Sequence, residues 1–399
     1  MGTILKESIM TELLYNTSAY IRSFEATVLS CDTAGGRYAV VLDKTAFFPE
    51  QGGQYADRGT LNSIAVCDVQ IKDGIIYHYT EAPLAVGDAV AGEICFETRF
   101  DRMQNHTGEH LVSGCIHAMY GYDNVGFHMN DEYLTLDTSG FLTGEQLDAV
   151  EIRANRAVFE NLPVEVSYPD DETLKRISYR SKTEISDRVR IVTIPGYDAC
   201  ACCAPHVAAT GEVGLIKIVD AIRYKGGMRI TLKCGNRALS DYGMRLSTLS
   251  EIAVSLSAKP EEAFASVQRL SEEISVLKQQ LSGLKKELIS SRCEQIPYTE
   301  GNLCMIERDA DTDTLRAMVN LGMEKCTGIC AAFSGSDNEG YRFVIGSRTV
   351  PMRACVKDIT AALDGRGGGS DAMVSGTVKA DAERIRSYIA VLDTSKYPG

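Results

Sequence analysis

Seven apolar residues, Val267, Leu270, Ile274, Leu277, Leu281, Leu284 and Leu288, alternate spacings of three and four without a slip. Only a helix puts such positions in one stripe, and Pro260 suits its first turn. The stripe makes residues 246–297 a long helical, coiled-coil-like segment, with chain on either side that must find its own cores. It fits a dimer seam, or a helix packed on its own chain or on another helix of the same hairpin. At 399 residues the chain is in any case too long for one ordinary core.

Residues 1–95 read as short alternating segments such as Phe24–Leu29 and Tyr38–Leu42, punctuated by Gly35-Gly36 and Gly52-Gly53. Together they predict a small β-barrel or sandwich. Residues 96–245 read as mixed α/β. They include a helix over 101–120, with Asp101 and Gln104 in a capping-box arrangement and Gly121 as the stop. Residues 298–399 read as a separate α/β domain with a glycine loop, Gly365 to Asp371, and a final helix around Ala380 to Val391. The fold class expected is thus a multidomain α+β or α/β protein in four parts.

Composition is that of a soluble globular protein, 44% hydrophobic and 24% charged. No apolar run approaches the roughly 18 residues that span a bilayer. Met1 to Tyr15 lacks the apolar core of a secretory signal, so a cytoplasmic location is expected. In that reducing compartment the 13 cysteines are thiols or metal ligands. The net charge of −13 argues against broad nucleic-acid binding. Two local stretches run the other way: 174–190, with Lys175, Arg176, Arg180, Lys182, Arg188 and Arg190, and 221–233, with Arg223, Lys225, Arg229 and Lys233.

Chemistry concentrates in two distant motifs. His106 and His110 stand four apart, on one face of a helix. Alone, such a pair has low specificity, and the position of Glu109 breaks the His-Glu-x-x-His protease pattern. Cys202 and His206 are also four apart, but Pro205 favours a loop. Imidazoles with a thiolate point to zinc rather than magnesium or calcium. Cys200 and Cys203 compete with Cys202 by position alone. Four protein ligands describe a closed, structural site, whereas a catalytic site keeps one position open.

With both motifs in hand, the sequence resembles the alanyl-tRNA editing proteins, freestanding relatives of the editing domain of alanyl-tRNA synthetase. It resembles the corresponding domain of threonyl-tRNA synthetase less closely. The His-x3-His and Cys-x3-His motifs match at His106, His110, Cys202 and His206, followed by Thr210-Gly211-Glu212-Val213-Gly214. The segment Leu42 to Gln54 resembles the family's glycine-rich stretch. Gly126-Phe127-His128-Met129 and Tyr224 to Arg229 match further blocks. The Gly365–Ser370 loop resembles the domain that follows editing in the synthetase and in the DHH phosphoesterases. Cys203-Ala204-Pro205 departs from the small residues usual there, which puts the pocket rim in doubt. Residues 1–9 precede the family's usual start, so Met10 is a candidate first residue.

The resemblance implies zinc-dependent hydrolysis of the ester joining serine or glycine to the tRNA for alanine. It implies zinc at His106, His110, Cys202 and His206. Gln54 would orient water or the terminal ribose, Thr45 would contact the amino-acid hydroxyl, and His128 would line the pocket. Arg176, Arg180, Lys182, Arg188, Lys225, Arg229 and Arg366 become candidate tRNA contacts, and residues 260–289 or the C-terminal domain a homodimer contact. ATP binding attaches to the synthetases of the wider family; a fragment of a full synthetase is one alternative reading, and, with no ATP-binding domain read before the editing region, amino-acid activation is not expected. Two other readings stand beside this one. A phosphoesterase lacks its Asp-His-His cluster here, and a non-catalytic tRNA-binding module would hold zinc structurally.

Overall fold

The computed structural model describes residues 11–181 and 189–397. The chain forms two units, Met1–Glu251 and Ile252–Gly399.

In the first unit, six strands close into a barrel: β1 (Ser23–Ala34), β2 (Arg37–Leu42), β3 (Gly59–Leu61), β4 (Ile64–Lys72), β5 (Ile75–Thr80) and β6 (Ala89–Ile94). Their order is β1-β2-β5-β4-β3-β6, and β6 pairs antiparallel with β1 to close the ring. Alternation fills the interior, with Val28, Val40, Leu42, Val66, Val69, Ile76 and Val90 pointing inward.

Strand β6 runs almost directly into helix α1 (Phe96–Tyr120), so the helix begins five residues before the cap read from sequence. Asp101 therefore lies inside the helix, where it accepts a forked ion pair from Arg237 (Nε at 2.9 and 3.0 Å). Gly121 ends the helix in the left-handed conformation, φ 72°. Helix α1 is buried from Arg102 to Ile116 on all sides. Its apolar residues pack against the sheet formed by β7 (Asn124–Met129), β8 (Leu134–Thr138), β12 (Ile216–Tyr224) and β13 (Gly227–Cys234). They also pack against helix α2 (Gly144–Glu160). A second, three-stranded sheet comprises β9 (Glu165–Ser167), β10 (Ile191–Ile194) and β11 (Asp198–Ala201).

Barrel and helix are joined by an ion pair inside the protein. Arg99 donates from Nε to both oxygens of Asp57 (3.0 and 2.9 Å), from Nη1 to the Ala19 carbonyl and from Nη2 to the Ala46 carbonyl. The Asp57 carboxylate also accepts the Phe48 amide. Both side chains are buried. Each guanidinium nitrogen and each carboxylate oxygen has a partner, which is the condition for a buried charge pair to be tolerated.

Helix α3 (Asn236–Ser255) spans the boundary between the units. The second unit holds the long helix α4 (Ala263–Glu294) and a five-stranded sheet. The sheet comprises β14 (Leu303–Glu307), β15 (Cys330–Ser336), β16 (Gly340–Gly346), β17 (Gly365–Gly369) and β18 (Met373–Val378). Helices α5 (Thr312–Gly322), α6 (Met352–Ala362) and α7 (Ala382–Val391) complete it. The strand order is β14-β15-β16-β18-β17. The seven seam residues of α4 are all exposed, from Val267 at 43% to Leu284 at 63%. The glycine stretch expected to be a loop is instead edge strand β17, paired with β18. Glycine is required at its first position, where a Cβ on Gly365 would lie 2.3 Å from the Thr377 carbonyl. Among the described residues, no helix is long and apolar enough to cross a membrane.

Candidate metal centre

Helix α1 presents His106 and His110 one turn apart, ring centroids separated by 5.4 Å. The loop after β11 brings the other two residues of the cluster, Cys202 and His206. The His206 ring lies 4.9 Å from that of His106 and 4.7 Å from that of His110. The Cys202 sulfur is 3.6 Å from Nε2 of His106 and 3.4 Å from Nε2 of His206. One donor atom from each residue falls within 4.8 Å of all the others. Pro205 keeps this segment out of a helix, and Arg190 fixes its path by donating from Nη1 to the carbonyls of Cys202 (2.7 Å) and Ala204 (2.9 Å).

Each imidazole has its other nitrogen occupied. Nδ1 of His106 meets Gln54 Oε1 at 2.8 Å, Nδ1 of His110 meets Asp198 Oδ2 at 2.8 Å, and Nδ1 of His206 meets Thr107 Oγ1 at 3.1 Å. Gln54 Oε1 and Asp198 Oδ2 can only accept, so they place a proton on Nδ1 of His106 and of His110 and turn each Nε2 toward the centre, while the Thr107 hydroxyl serves either tautomer of His206. Burial pushes the Cys202 thiol up, but the imidazoles of His106 and His206 more than reverse this and hold it well below the ordinary thiol range. Burial lowers His206 to about 3, against the opposing pull of Cys202, so its ring is neutral. A thiolate and inward-facing imidazole nitrogens form a set that fits zinc.

Gln54 reaches the centre from the barrel. Gln51 and Gln54 exchange backbone hydrogen bonds (3.2 and 3.1 Å) in a tight turn through Gly52 and Gly53, and the Gly53 carbonyl accepts the Met129 amide at 3.0 Å. At Gly53, φ is 83° and a Cβ would sit 2.7 Å from the Phe127 carbonyl oxygen, so this seat admits only glycine. The Gln54 side chain is fully buried, and its Nε2 has no hydrogen-bond partner within the protein.

Other sequence candidates fall elsewhere. Thr45 is buried in the barrel, with its hydroxyl on His78 Nε2 (2.8 Å) and accepting the Phe47 amide (3.1 Å). His128 is exposed and packs edge-on against Tyr55 at 5.8 Å. Strand alternation turns it away from the face where its neighbour Phe127 stacks on His106 (4.8 Å). Arg180 is held by Asp198 and Ser113. Arg229 is locked onto Asp137 by two bonds of 2.7 Å and stacked over Tyr224. Arg176 pairs loosely with Glu172 at 3.8 Å in the open, Lys225 sits exposed at the β12–β13 turn, and Arg366 is exposed on β17. Lys182 and Arg188 lie outside the described residues.

Sequence reasoning missed Asp198 and Thr107. A signal existed for the first: Gly114 follows His110 by four residues and so shares its helix face. A Cβ on Gly114 would meet the Asp198 side chain at 2.9 Å, so glycine there allows β11 to come against the helix.

Residues 11–97 match the family of class II (A) tRNA synthetases. Residues 189–231, which carry Cys202 and His206, match the threonyl and alanyl tRNA synthetase second additional domain. The chain is 28% identical to the alanyl-tRNA editing protein AlaX-L of Pyrococcus horikoshii over 94% of its own length and 96% of that protein. The chain is a relative of the alanyl-tRNA editing proteins. Against the alanyl-tRNA editing protein Aarsd1 of Mus musculus, identity is 26% over 95% of this chain and 97% of the other. Alanine–tRNA ligase of Ignicoccus hospitalis is 31% identical over 73% of this chain but only 33% of the ligase. The likeness to the editing proteins is thus end to end, while that to the ligase is to one part of a larger enzyme.

Proposed function

We propose that this chain hydrolyses the ester linking serine or glycine to the tRNA for alanine, at a zinc ion held by His106, His110, Cys202 and His206. The observation that carries the reading is the convergence of three Nε2 atoms and one thiolate beside the spare amide of Gln54. Zinc bound there supplies Lewis acidity toward an ester carbonyl and toward water. The residues do the rest. Gln54 orients His106 through Oε1 and offers Nε2 to an acyl or ribose oxygen. Gly52 and Gly53 let the backbone approach without side chains between. The exposed Arg176, Lys225 and Arg366 supply phosphate contacts for a tRNA recognised largely by shape. A second copy pairs along the open α4 seam, whose unbroken three-four spacing complements itself under two-fold symmetry. The reaction belongs in the cytoplasm, where charged tRNA is available.

The test is to incubate the zinc-loaded protein with alanine tRNA charged with serine, glycine or alanine. Loss of seryl or glycyl ester with alanine spared is expected. Equal loss of all three, or none, refutes the reading. The four-ligand set also favours a structural zinc in a tRNA-binding module. Retained binding of alanine tRNA by the zinc-loaded protein with no loss of any of the three esters would support that alternative.

A further inference from the structure

The three imidazoles are not held alike. Gln54 and Thr107 offer neutral oxygens, whereas His110 alone faces a carboxylate. That carboxylate is itself held. Arg180 donates from Nε to Asp198 Oδ1 and from Nη2 to Oδ2, both at 2.8 Å, and from Nη2 to Ser113 Oγ at 2.7 Å. The Arg180 backbone is clamped against β11, its amide on the Ala199 carbonyl (2.8 Å) and its carbonyl under the Ala201 amide (2.9 Å). The side chains of Asp198 and Arg180 are 2% and 14% exposed. Ser113 and Gly114 lie on the same helix as His110, one turn on, and the missing Cβ of Gly114 makes room for the Asp198 side chain.

A carboxylate this enclosed has its fork filled by one guanidinium and its remaining reach taken by one imidazole. We infer that Asp198 and Arg180 are positioning residues: Asp198 fixes the His110 ring with Nε2 toward the metal and makes it the most strongly donating ligand, and Arg180 fixes Asp198. Acceptors behind metal-bound imidazoles orient the ring and raise its basicity. This assigns Arg180 to the metal centre and takes it out of the set of tRNA contacts suggested by its place in a basic stretch. The inference rests on the reading that a metal occupies the four-residue cluster.

The experiment compares wild type with Asp198→Asn, Arg180→Met and Arg180→Lys. It reads zinc affinity by competition with a chromophoric chelator, the visible spectrum of the cobalt-substituted protein, and binding of uncharged alanine tRNA across a salt series. Asp198→Asn and Arg180→Met are expected to weaken zinc binding about 10- to 100-fold and to shift the cobalt bands. Arg180→Lys, which keeps the charge but loses the fork, should fall between these and wild type. Affinity for uncharged tRNA and its salt slope should not move. Wild-type zinc affinity and an unshifted cobalt spectrum in Arg180→Met would overturn the inference. So would a fall in tRNA affinity with a salt slope smaller by about one, the mark of a lost phosphate contact. Circular dichroism of the metal-free proteins separates misfolding from ligand loss, and Arg180→Lys, the mildest change, keeps the test decisive if a harsher variant fails to fold. If wild type binds zinc but cleaves no ester, the proposed function fails while this inference stands.

Discussion

Lowering the pH from 7 to 5 should destabilise the barrel through one side chain, His78. Its ring is fully buried on β5. Nδ1 lies 3.1 Å from the Val40 carbonyl, which can only accept, so Nδ1 carries the proton. Nε2 must then accept from the Thr45 hydroxyl at 2.8 Å. A second ring proton would be unsolvated and would face a donor. Burial accordingly lowers the His78 pKa from 6.5 to about 4, with the Val40 carbonyl opposing weakly. The sign follows from which state binds more protons. Between pH 6.5 and 4 the unfolded chain protonates this histidine and the folded chain does not, so stability falls as pH falls. The penalty is absent well above pH 6.5 and complete below pH 4. Linkage gives a loss of about 2 kcal/mol at pH 5 and about 3 kcal/mol at pH 4. The assay is urea unfolding of wild type and His78→Gln at pH 7 and pH 5. It is followed by circular dichroism, because the chain has 0 tryptophans. Every other titrating group is common to both proteins, so the difference between their pH-induced losses isolates His78. Equal losses in the two proteins would refute the reasoning.

Three further outcomes are expected. Arg99→Met strands the Asp57 carboxylate in the interior and should cost about 3–5 kcal/mol by chemical denaturation, part of it recovered in the Arg99→Met/Asp57→Asn double variant; a loss below about 1 kcal/mol would show the pair is not buried as described. Gly53→Ala should lift the loop off Phe127 and carry Gln54 away from His106, cutting deacylation about 100-fold while elemental analysis finds zinc retained. Cys202→Ser should abolish stoichiometric zinc, whereas Cys203→Ser should keep it, because burial pushes the Cys203 thiol up to about 11 while Cys202 is held as a thiolate.

The four-residue cluster was legible in part from spacing, since four residues on a helix share a face and a proline-interrupted Cys-x3-His must sit in a loop, while the choice of Cys202 over Cys200 and Cys203 came from the family resemblance. The long helix was legible from spacing as well. Strand β17 was not, since a run of glycines has no side chains to alternate and its pairing with β18 is a tertiary fact. The pairing of the basic residues was not legible, because charge in a sequence says nothing of its partner. Arg180 and Arg229 are each neutralised by an aspartate 18 and 92 positions away. The directions of the Thr45 and His128 side chains were hidden for a related reason. Proximity to a recognisable segment does not fix which way a side chain faces, and here one points into the barrel and the other away from Phe127.

The Gln54 turn and the Asp57–Arg99 joint bear on how small a working version of this protein could be made. All four residues of the cluster lie within residues 106–206, and a fragment trimmed to begin at α1 would keep every one of them. It would also strip His106 of its amide partner and leave Arg99 facing solvent with no counter-charge. Such a piece would keep the cluster with one ring free to swivel. Any attempt to transplant the centre onto another scaffold must therefore carry the barrel with it.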